Sequence, residues 1–426
     1  MEYNNVEQPT FAADSTLIYT NLTPEIFQFR QLLSDALSDL WYLTQGPSES
    51  IFNYVHNVMP DAAALNTLNY FDFWSAVPLA SSSSGSSYAE IAKHTFLPED
   101  VVVRLLKHAF TLRLFPETDH GRVVHASRSA ALATQPGLRA LVSSVLDTSS
   151  APLLLLNHAL DRYSRGRPEL TQELWETSFA LFHAGGVFGE KYKVLWDYLE
   201  NDGDDEGPRK KGWRQKEFVE FMRYIKEIFR LKELIVDCFD WEDAGEARVV
   251  DVGGSAGHDS VVLARKFPNL TFIVQDLPMV QPVFEADLPA DLRPRVSFQE
   301  HNIFDPQPAR ADIFMVELIL HDYPEPEAAK ILRALVPTLR HGNRVLVFEY
   351  IGKVEGGQGN GPIARSVKQM GTATDLRMMA LFNAKERPGE AYREIFQRAD
   401  ERFDVVSVKA DPLTFLAVIE AVWRGK

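Results

Sequence analysis

Two stretches of this 426-residue chain bring together residue types that could do chemistry. The first is Val249-Val250-Asp251-Val252-Gly253-Gly254-Ser255-Ala256-Gly257. An apolar run carries an acid near its end, and a Gly-rich turn then opens a helical pattern. Glycines in such a turn let a ligand approach the backbone, at the carboxyl edge of a sheet where ligands bind. A nicotinamide dinucleotide needs Gly-x-Gly-x-x-Gly to seat its pyrophosphate at the helix N-terminus. The spacing Gly253, Gly254, Gly257 does not match that pattern. Ser255 replaces a glycine of the generic loop, so a negative φ is expected of it. The next apolar run ends in Gln275-Asp276-Leu277-Pro278. A carboxylate there can take both ribose hydroxyls of a nucleoside cofactor, although NAD enzymes put an acid in the same place. The plain alternative is a structural turn followed by an ordinary loop Asp. Turn and acid occurring together, in this order, favour a cofactor site.

The second stretch runs from 311–316 through Glu317-Leu318-Ile319-Leu320 to His321-Asp322-Tyr323-Pro324. A His-Asp pair is thereby set near the same carboxyl edge. Taken alone, one His after an apolar run reads better as a structural histidine.

The elements that must position these residues follow from periodicity. Strand-like runs at 248–252, 271–275, 295–298, 311–316 and 344–348 alternate with helical patterns, including 257–267 and 325–339. Alternation of this kind predicts a mostly parallel, doubly wound sheet. Helices near 373–382 and 389–398 come next, then strands at 403–409 and 415–422 joined at Asp411-Pro412, an antiparallel edge hairpin. The N-terminal part reads differently. Residues 23–58 are helical, 81–87 form a Ser-rich loop, and 88–93 begin a short helix. Pro98 opens a second helix, and 115–124 read as a hairpin turning at Asp119-His120-Gly121. Helix, helix and two-stranded wing make a winged-helix arrangement. Residues 151–200 and 217–236 read as helical. The expected division is a helical, winged-helix domain over 1–165 and a catalytic domain over 166–426. The latter comprises linker helices to about 245 and a Rossmann-like core over 246–426.

Composition narrows the function classes. Fifty-nine acidic against 44 basic residues give a net charge of −15, which argues against phosphate-neutralising nucleic-acid binding and against an anionic membrane. The bases Arg104, Lys107 and Arg113 on the second helix read as its solvated face. Cys238 is the single cysteine, so no intrachain disulfide forms and a reducing compartment fits. No signal-peptide pattern and no apolar run near ~18 residues is present, and a soluble, cytoplasmic protein is expected.

From about Thr171 onward the chain resembles the plant-type, caffeate-like small-molecule O-methyltransferases, the fungal polyketide branch in particular. The resemblance is carried by 251–257, by Gln275-Asp276-Leu277-Pro278, by Leu320-His321-Asp322-Tyr323 and by Lys385-Glu386-Arg387. It implies a class I fold that binds S-adenosylmethionine, no metal, a hydroxylated small-molecule substrate and a homodimer formed through the N-terminal domain. His321 matches the general base and Asp322 its neighbour facing the substrate. Glu349 matches the carboxylate that orients the base, and Glu386 a second one. Asp276 matches the ribose ligand, with Asp251, Gly253, Gly254, Ser255, Gly257 and Leu277 around the cofactor. Phe218, Met222, Asp375 and Met378 are the candidates for substrate contact. The chain departs from the family at two points. Its adenine site reads His301-Asn302-Ile303-Phe304 in place of Gly-Asp before an apolar pair, leaving Asn302 and Ile303 as the contacts. Glu317 stands four residues before the histidine, where the family often carries Lys or Arg.

Such a reaction is an in-line displacement whose remaining problem is a proton. A phenol near pKa ~10 and an imidazole near ~6.5 differ by roughly 5 kcal/mol of uphill transfer, so proton transfer is expected as the methyl bond forms. Two other readings stay open. One is a rearrangement enzyme that uses the sulfonium charge without methyl transfer. That chemistry needs no base, so His321, Glu349 and Glu386 together weigh against it. The other is a non-catalytic winged-helix binding protein, against which the acidic charge weighs.

Overall fold

A computed structural model of the chain describes residues 9–15, 23–79, 85–183, 192–204, 206–207, 209–228, 231–350, 364–410 and 416–425. The serines at 81–84, Phe229 and the Asp411-Pro412 turn lie outside them. The chain divides into two compact units. One comprises Met1–Ser150 with Glu220–Tyr224 and Ala364–Ser366, and the other the remainder.

The first unit is helical. Its longest helix, Pro24–Tyr70, starts on an N-cap bond from the Ile26 N–H to Thr23 and kinks where Gly46 (φ 69°) precedes Pro47. Tyr88–Thr95 begins on a capping box, with the Ser87 side chain and Glu90 satisfying each other's backbone N–H. The helix Glu99–Thr111 buries Val102, Leu106 and Ala109 along one face. At 115–124 the pairing is limited to isolated bridges, Glu117 and Ser86 both meeting Val123, around Gly121 at φ 67°.

The second unit is built on a seven-stranded sheet of order β3-β2-β1-β4-β5-β7-β6. The strands are β1 (Arg248–Val252), β2 (Thr271–Asp276), β3 (Val296–Glu300), β4 (Ile313–Glu317), β5 (Arg344–Tyr350), β6 (Phe403–Ala410) and β7 (Leu416–Trp423). The first five are parallel, and β7 and β6 close the edge antiparallel. Side chains alternate between the two faces. Val250, Val252, Phe314, Val316, Val345 and Val347 pack under the helices Glu325–Leu335 and Gly389–Ala399. Val249, Phe272, Val274, Met315, Leu346 and Phe348 pack under His258–Lys266 and Trp241. Burial on both faces is why these strands read as nearly continuous apolar runs. This is a class I, Rossmann-like fold with an N-terminal helical extension.

Register decides where the chemistry sits. Val252 pairs with Gln275 and Val316, and Glu317 pairs with Phe348. Gly253, Asp276, Glu317 and Glu349 therefore leave the sheet along one carboxyl edge. The expected continuous helical reading of 151–200 is corrected. Short helices Ser150–Leu154, Leu156–Tyr163, Ser178–His183 and Leu195–Asn201 stand there, with turn and coil over 164–177. Gly166 at φ 77° and Pro168 two residues on break the helical path.

Candidate active site

The Gly-rich turn after β1 is tight because side chains of its neighbours fill the space a Cβ would need. A Cβ at Gly253 would lie 2.6 Å from Ile319 Cδ1, and one at Gly254 would lie 2.5 Å from the Asp251 carboxyl carbon. Gly257 N-caps the following helix at φ 73°. Ser255 does not have the negative φ expected of it. It sits at φ 51°, in the left-handed region, where its N–H donates to Asp276 Oδ2 at 2.8 Å. The Leu277 N–H donates to the other oxygen, Oδ1, at 2.7 Å. Asp276 is thus pinned by two backbone donors, and each oxygen retains acceptor capacity for a hydroxyl. Burial pushes its carboxyl up to about 6 despite those two bonds. Asp251 is also raised to about 6, by burial and by Asp259, against the Ser260 hydroxyl that donates to it at 2.7 Å. Asn302 is exposed and caps its own turn by accepting from the Phe304 N–H at 3.1 Å, with Ile303 half-buried beside it.

His321 lies in a single 3₁₀ turn, Leu320–Asp322, directly beyond β4. Its Nδ1 is 3.1 Å from Glu386 Oε1 and 4.0 Å from Glu349 Oε2, and its Nε2 is 3.6 Å from Asp322 Oδ1. The four groups singled out from the sequence therefore meet, but the two glutamates divide the work. Glu349, fully buried near the end of β5, accepts from the N–H groups of Ile319, Leu320 and His321 at 3.2, 2.6 and 3.3 Å. Glu386 is the partner of the imidazole itself. Its own N–H donates to Asp375 Oδ1 at 2.8 Å.

Arg387, whose role the sequence did not suggest, closes the other side of the turn. It is fully buried and donates to the carbonyls of Leu320 (2.7 Å) and Tyr323. Carboxylate on the amide side and guanidinium on the carbonyl side hold the 320–323 turn from both ends. The signal was its place in Lys385-Glu386-Arg387, but a basic residue reads as surface until its burial is known.

Burial alone would lower the His321 pKa, but the carboxylates of Asp322, Glu386 and Glu349 outweigh it and raise it to about 10. Burial raises Glu349 to about 7 and Asp322 to about 6, against the opposing charge of His321.

Of the substrate candidates, Met378 is buried with Phe179, Tyr198, Leu381 and Phe382, and Phe218 packs on that cluster. Trp196 stacks on Phe382 at 5.6 Å and meets Phe218 edge-on at 5.7 Å. His183, which the sequence reading passed over, lies 4.3 Å from the Phe179 ring and 4.5 Å from that of Tyr198. Its Nδ1 is buried without a hydrogen-bond partner, and burial holds the imidazole down at about 4. Met222 is half-buried and belongs to the N-terminal unit. Among the described residues, no group of three or more His, Cys, Asp or Glu is placed to hold a metal ion. Nor is any single helix there long and apolar enough to cross a membrane.

Residues 210–401 match the O-methyltransferase domain family. The chain is 41% identical to O-methyltransferase lcsG of Purpureocillium lilacinum, over 100% of this chain and 90% of that protein. It is 30% identical to a chlorophenol O-methyltransferase of Trichoderma longibrachiatum, over 99% and 86%. The fold is shared with a solved pericyclic reaction enzyme at a TM-score of 0.70 and 22% identity, over 93% and 95%. The fold is that of the class I methyltransferases. The chain belongs to the S-adenosylmethionine-dependent O-methyltransferase family of fungal secondary metabolism.

Proposed function

We propose that the acceptor is a hydroxyl on a small aromatic, polyketide-derived molecule, and that His321 takes its proton. The observation that carries this is the commitment of Nδ1 to Glu386 at 3.1 Å. With Nδ1–H donated there, Nε2 is the nitrogen left to face an acceptor, with Asp322 beside it. The three carboxylates also change the energetics of the transfer. An ordinary imidazole lies roughly 5 kcal/mol below a phenol in basicity; His321 raised to about 10 is nearly matched to it but is mostly protonated near neutral pH, so the transfer runs through its neutral fraction, which grows as pH rises. Glu386 stabilises the imidazolium as it forms, and Glu349 and Arg387 keep the turn in register. An aromatic acceptor is supported by the cluster of Phe179, Tyr198, Trp196, Phe218 and Phe382 and by the chlorophenol relative.

The residues present fit the cofactor. Asp276 is held with lone pairs to spare for ribose hydroxyls, and Asp251, Gly253, Gly254, Ser255, Gly257 and Leu277 lie at or beside the turn; by the family resemblance Asn302 and Ile303 would contact the adenine. Bound there, S-adenosylmethionine supplies an electrophilic methyl group. Shared fold with a pericyclic enzyme at 22% identity does not favour the rearrangement reading, because that chemistry leaves His321 without a task.

The same reading makes the N-terminal unit a winged-helix dimerisation domain over about 1–165, with the catalytic domain after it. Leu33, Leu37, Leu40 and Leu43 stand 58–79% exposed on the long helix, apolar area that a second copy would cover. A cytoplasmic location belongs to this reading too and rests on the single cysteine.

The test is mass spectrometry of the purified chain with methyl-labelled S-adenosylmethionine and a panel of chlorophenols and hydroxynaphthoates. A labelled O-methyl product is expected. Label transferred to nitrogen or carbon acceptors alone contradicts the proposal.

A further inference from the structure

His183 has no task in the reaction above, and its surroundings leave it unsatisfied. It ends the helix Ser178–His183 and is 5% exposed. Four rings wall its imidazole, with centroid separations of 4.3 Å to Phe179, 4.5 Å to Tyr198, 4.9 Å to Phe182 and 6.4 Å to Tyr192. Nδ1 is buried with no hydrogen-bond partner. A buried polar atom left unmet costs about 1–3 kcal/mol, so its presence points to a ligand group that meets it. Burial and the Arg214 guanidinium hold the imidazole down at about 4, and Asp202 opposes them only in part. The ring is therefore neutral near pH 7, a hydrogen-bonding group and not a second base.

The cluster around it leads to the base. Phe179 and Tyr198 pack with Met378, Leu381, Phe382 and Ala384. Ala384 lies two residues before Glu386, the partner of His321 Nδ1. Trp196 stacks on Phe382 at 5.6 Å and lies beside the side chain of Tyr323, the residue that follows the His321-Asp322 pair. An aromatic molecule presenting a hydroxyl to His321 thus has an aromatic wall next to it, and His183 Nδ1 is a polar atom set into that wall.

We propose that His183 holds a second hydroxyl of the methyl acceptor, so that the substrate is an aromatic diol or polyol with one oxygen methylated and another bound. The proposal rests on the reading of His321 as base toward an aromatic hydroxyl. A hydroxyl both donates and accepts, so it satisfies Nδ1 in either imidazole tautomer. A carbonyl fits only the Nδ1–H form, and a carboxylate calls for a cation that a neutral imidazole does not supply. Holding the second oxygen also fixes how the ring lies, and so decides which hydroxyl is presented to His321.

Steady-state kinetics on matched naphthols tests this. The probes are 1-naphthol, 2-naphthol and the dihydroxynaphthalene isomers, at saturating S-adenosylmethionine. In the wild type, kcat/KM for at least one diol should exceed that for its parent naphthol about tenfold. His183→Phe keeps an aromatic ring and removes the polar atom, and it should erase that preference. His183→Asn keeps a donor and an acceptor, and it should retain part of it. The methyl group should also be spread more evenly over the two oxygens of the preferred diol in His183→Phe than in the wild type. Equal losses on diol and naphthol in His183→Phe mean a structural role and overturn the proposal. A wild type that prefers no diol overturns it as well, whether or not the variants fold. A wild type that methylates neither class refutes the aromatic-hydroxyl reading itself, and this inference with it.

Discussion

Glu386 approaches Nδ1 of His321 to 3.1 Å, while Glu349, the carboxylate expected to orient the base, stands 4.0 Å away and accepts from three backbone N–H groups. The two acids therefore separate in mutation. His321 is raised to about 10, so its neutral, proton-accepting fraction grows as pH rises toward that value. In the wild type, kcat/KM should climb with pH along a limb lying above the ordinary imidazole value of ~6.5. Glu386→Gln removes one of the charges that raise it, so the limb should move to lower pH while the plateau rate falls. A pH profile of kcat/KM at saturating S-adenosylmethionine reads this. An unmoved limb would assign the shift to the other carboxylates.

Arg387 should matter for stability as much as for rate. Arg387→Met leaves the carbonyls of Leu320 and Tyr323 without their buried donor and removes a partner of Glu325. A loss of roughly 2–4 kcal/mol is expected. Thermal denaturation should show a Tm lower by several degrees. A variant with unchanged Tm and rate would mean that the turn holds itself.

Asp276→Ala should weaken S-adenosylhomocysteine by about tenfold or more, a loss of roughly 1.5–3 kcal/mol from a charged acceptor. The wild type should show the same weakness on acidification. The Asp276 carboxyl titrates at about 6, so below that pH it is protonated and accepts ribose hydroxyls poorly. Calorimetry on a folded variant and across pH 5–8 tests both arms. An affinity insensitive to the substitution would place the cofactor elsewhere.

The homodimer has its own check. Light scattering at micromolar concentration should return about twice the chain mass of 48.1 kDa. Leu37→Glu together with Leu40→Glu, on the exposed apolar stretch of the long helix, should shift the species toward the monomer. A wild type that is strictly monomeric removes the dimerisation reading and leaves the catalytic one standing.

The sheet was legible because its strands are buried on both faces and bounded by turn residues, so each of the seven lies within two residues of its expected range. His321, Glu349 and Glu386 were legible through order along the chain, and register brings them to one edge. What spacing could not give was the division between the glutamates, since a one-ångström difference in approach depends on how Asp375 and Arg387 set the 385–387 segment. Ser255 was misread for a similar reason. A left-handed φ in a non-glycine residue is sustained by a specific bond, here to Asp276, and that partner lies 21 residues away. The 151–200 segment reads as helical only if Gly166 and Pro168 are passed over, and they lie in the turn that follows Leu156–Tyr163.

Methyl transfer with His321 as base is read from product stoichiometry in the wild type and in His321→Ala. With a phenol that the wild type converts, methylated product and S-adenosylhomocysteine should appear in equal amounts. His321→Ala should bind S-adenosylhomocysteine nearly as before and turn over about 10²–10⁴-fold more slowly. Substrate conversion without consumption of S-adenosylmethionine would rule out methyl transfer, and full turnover in His321→Ala would rule out His321 as the base.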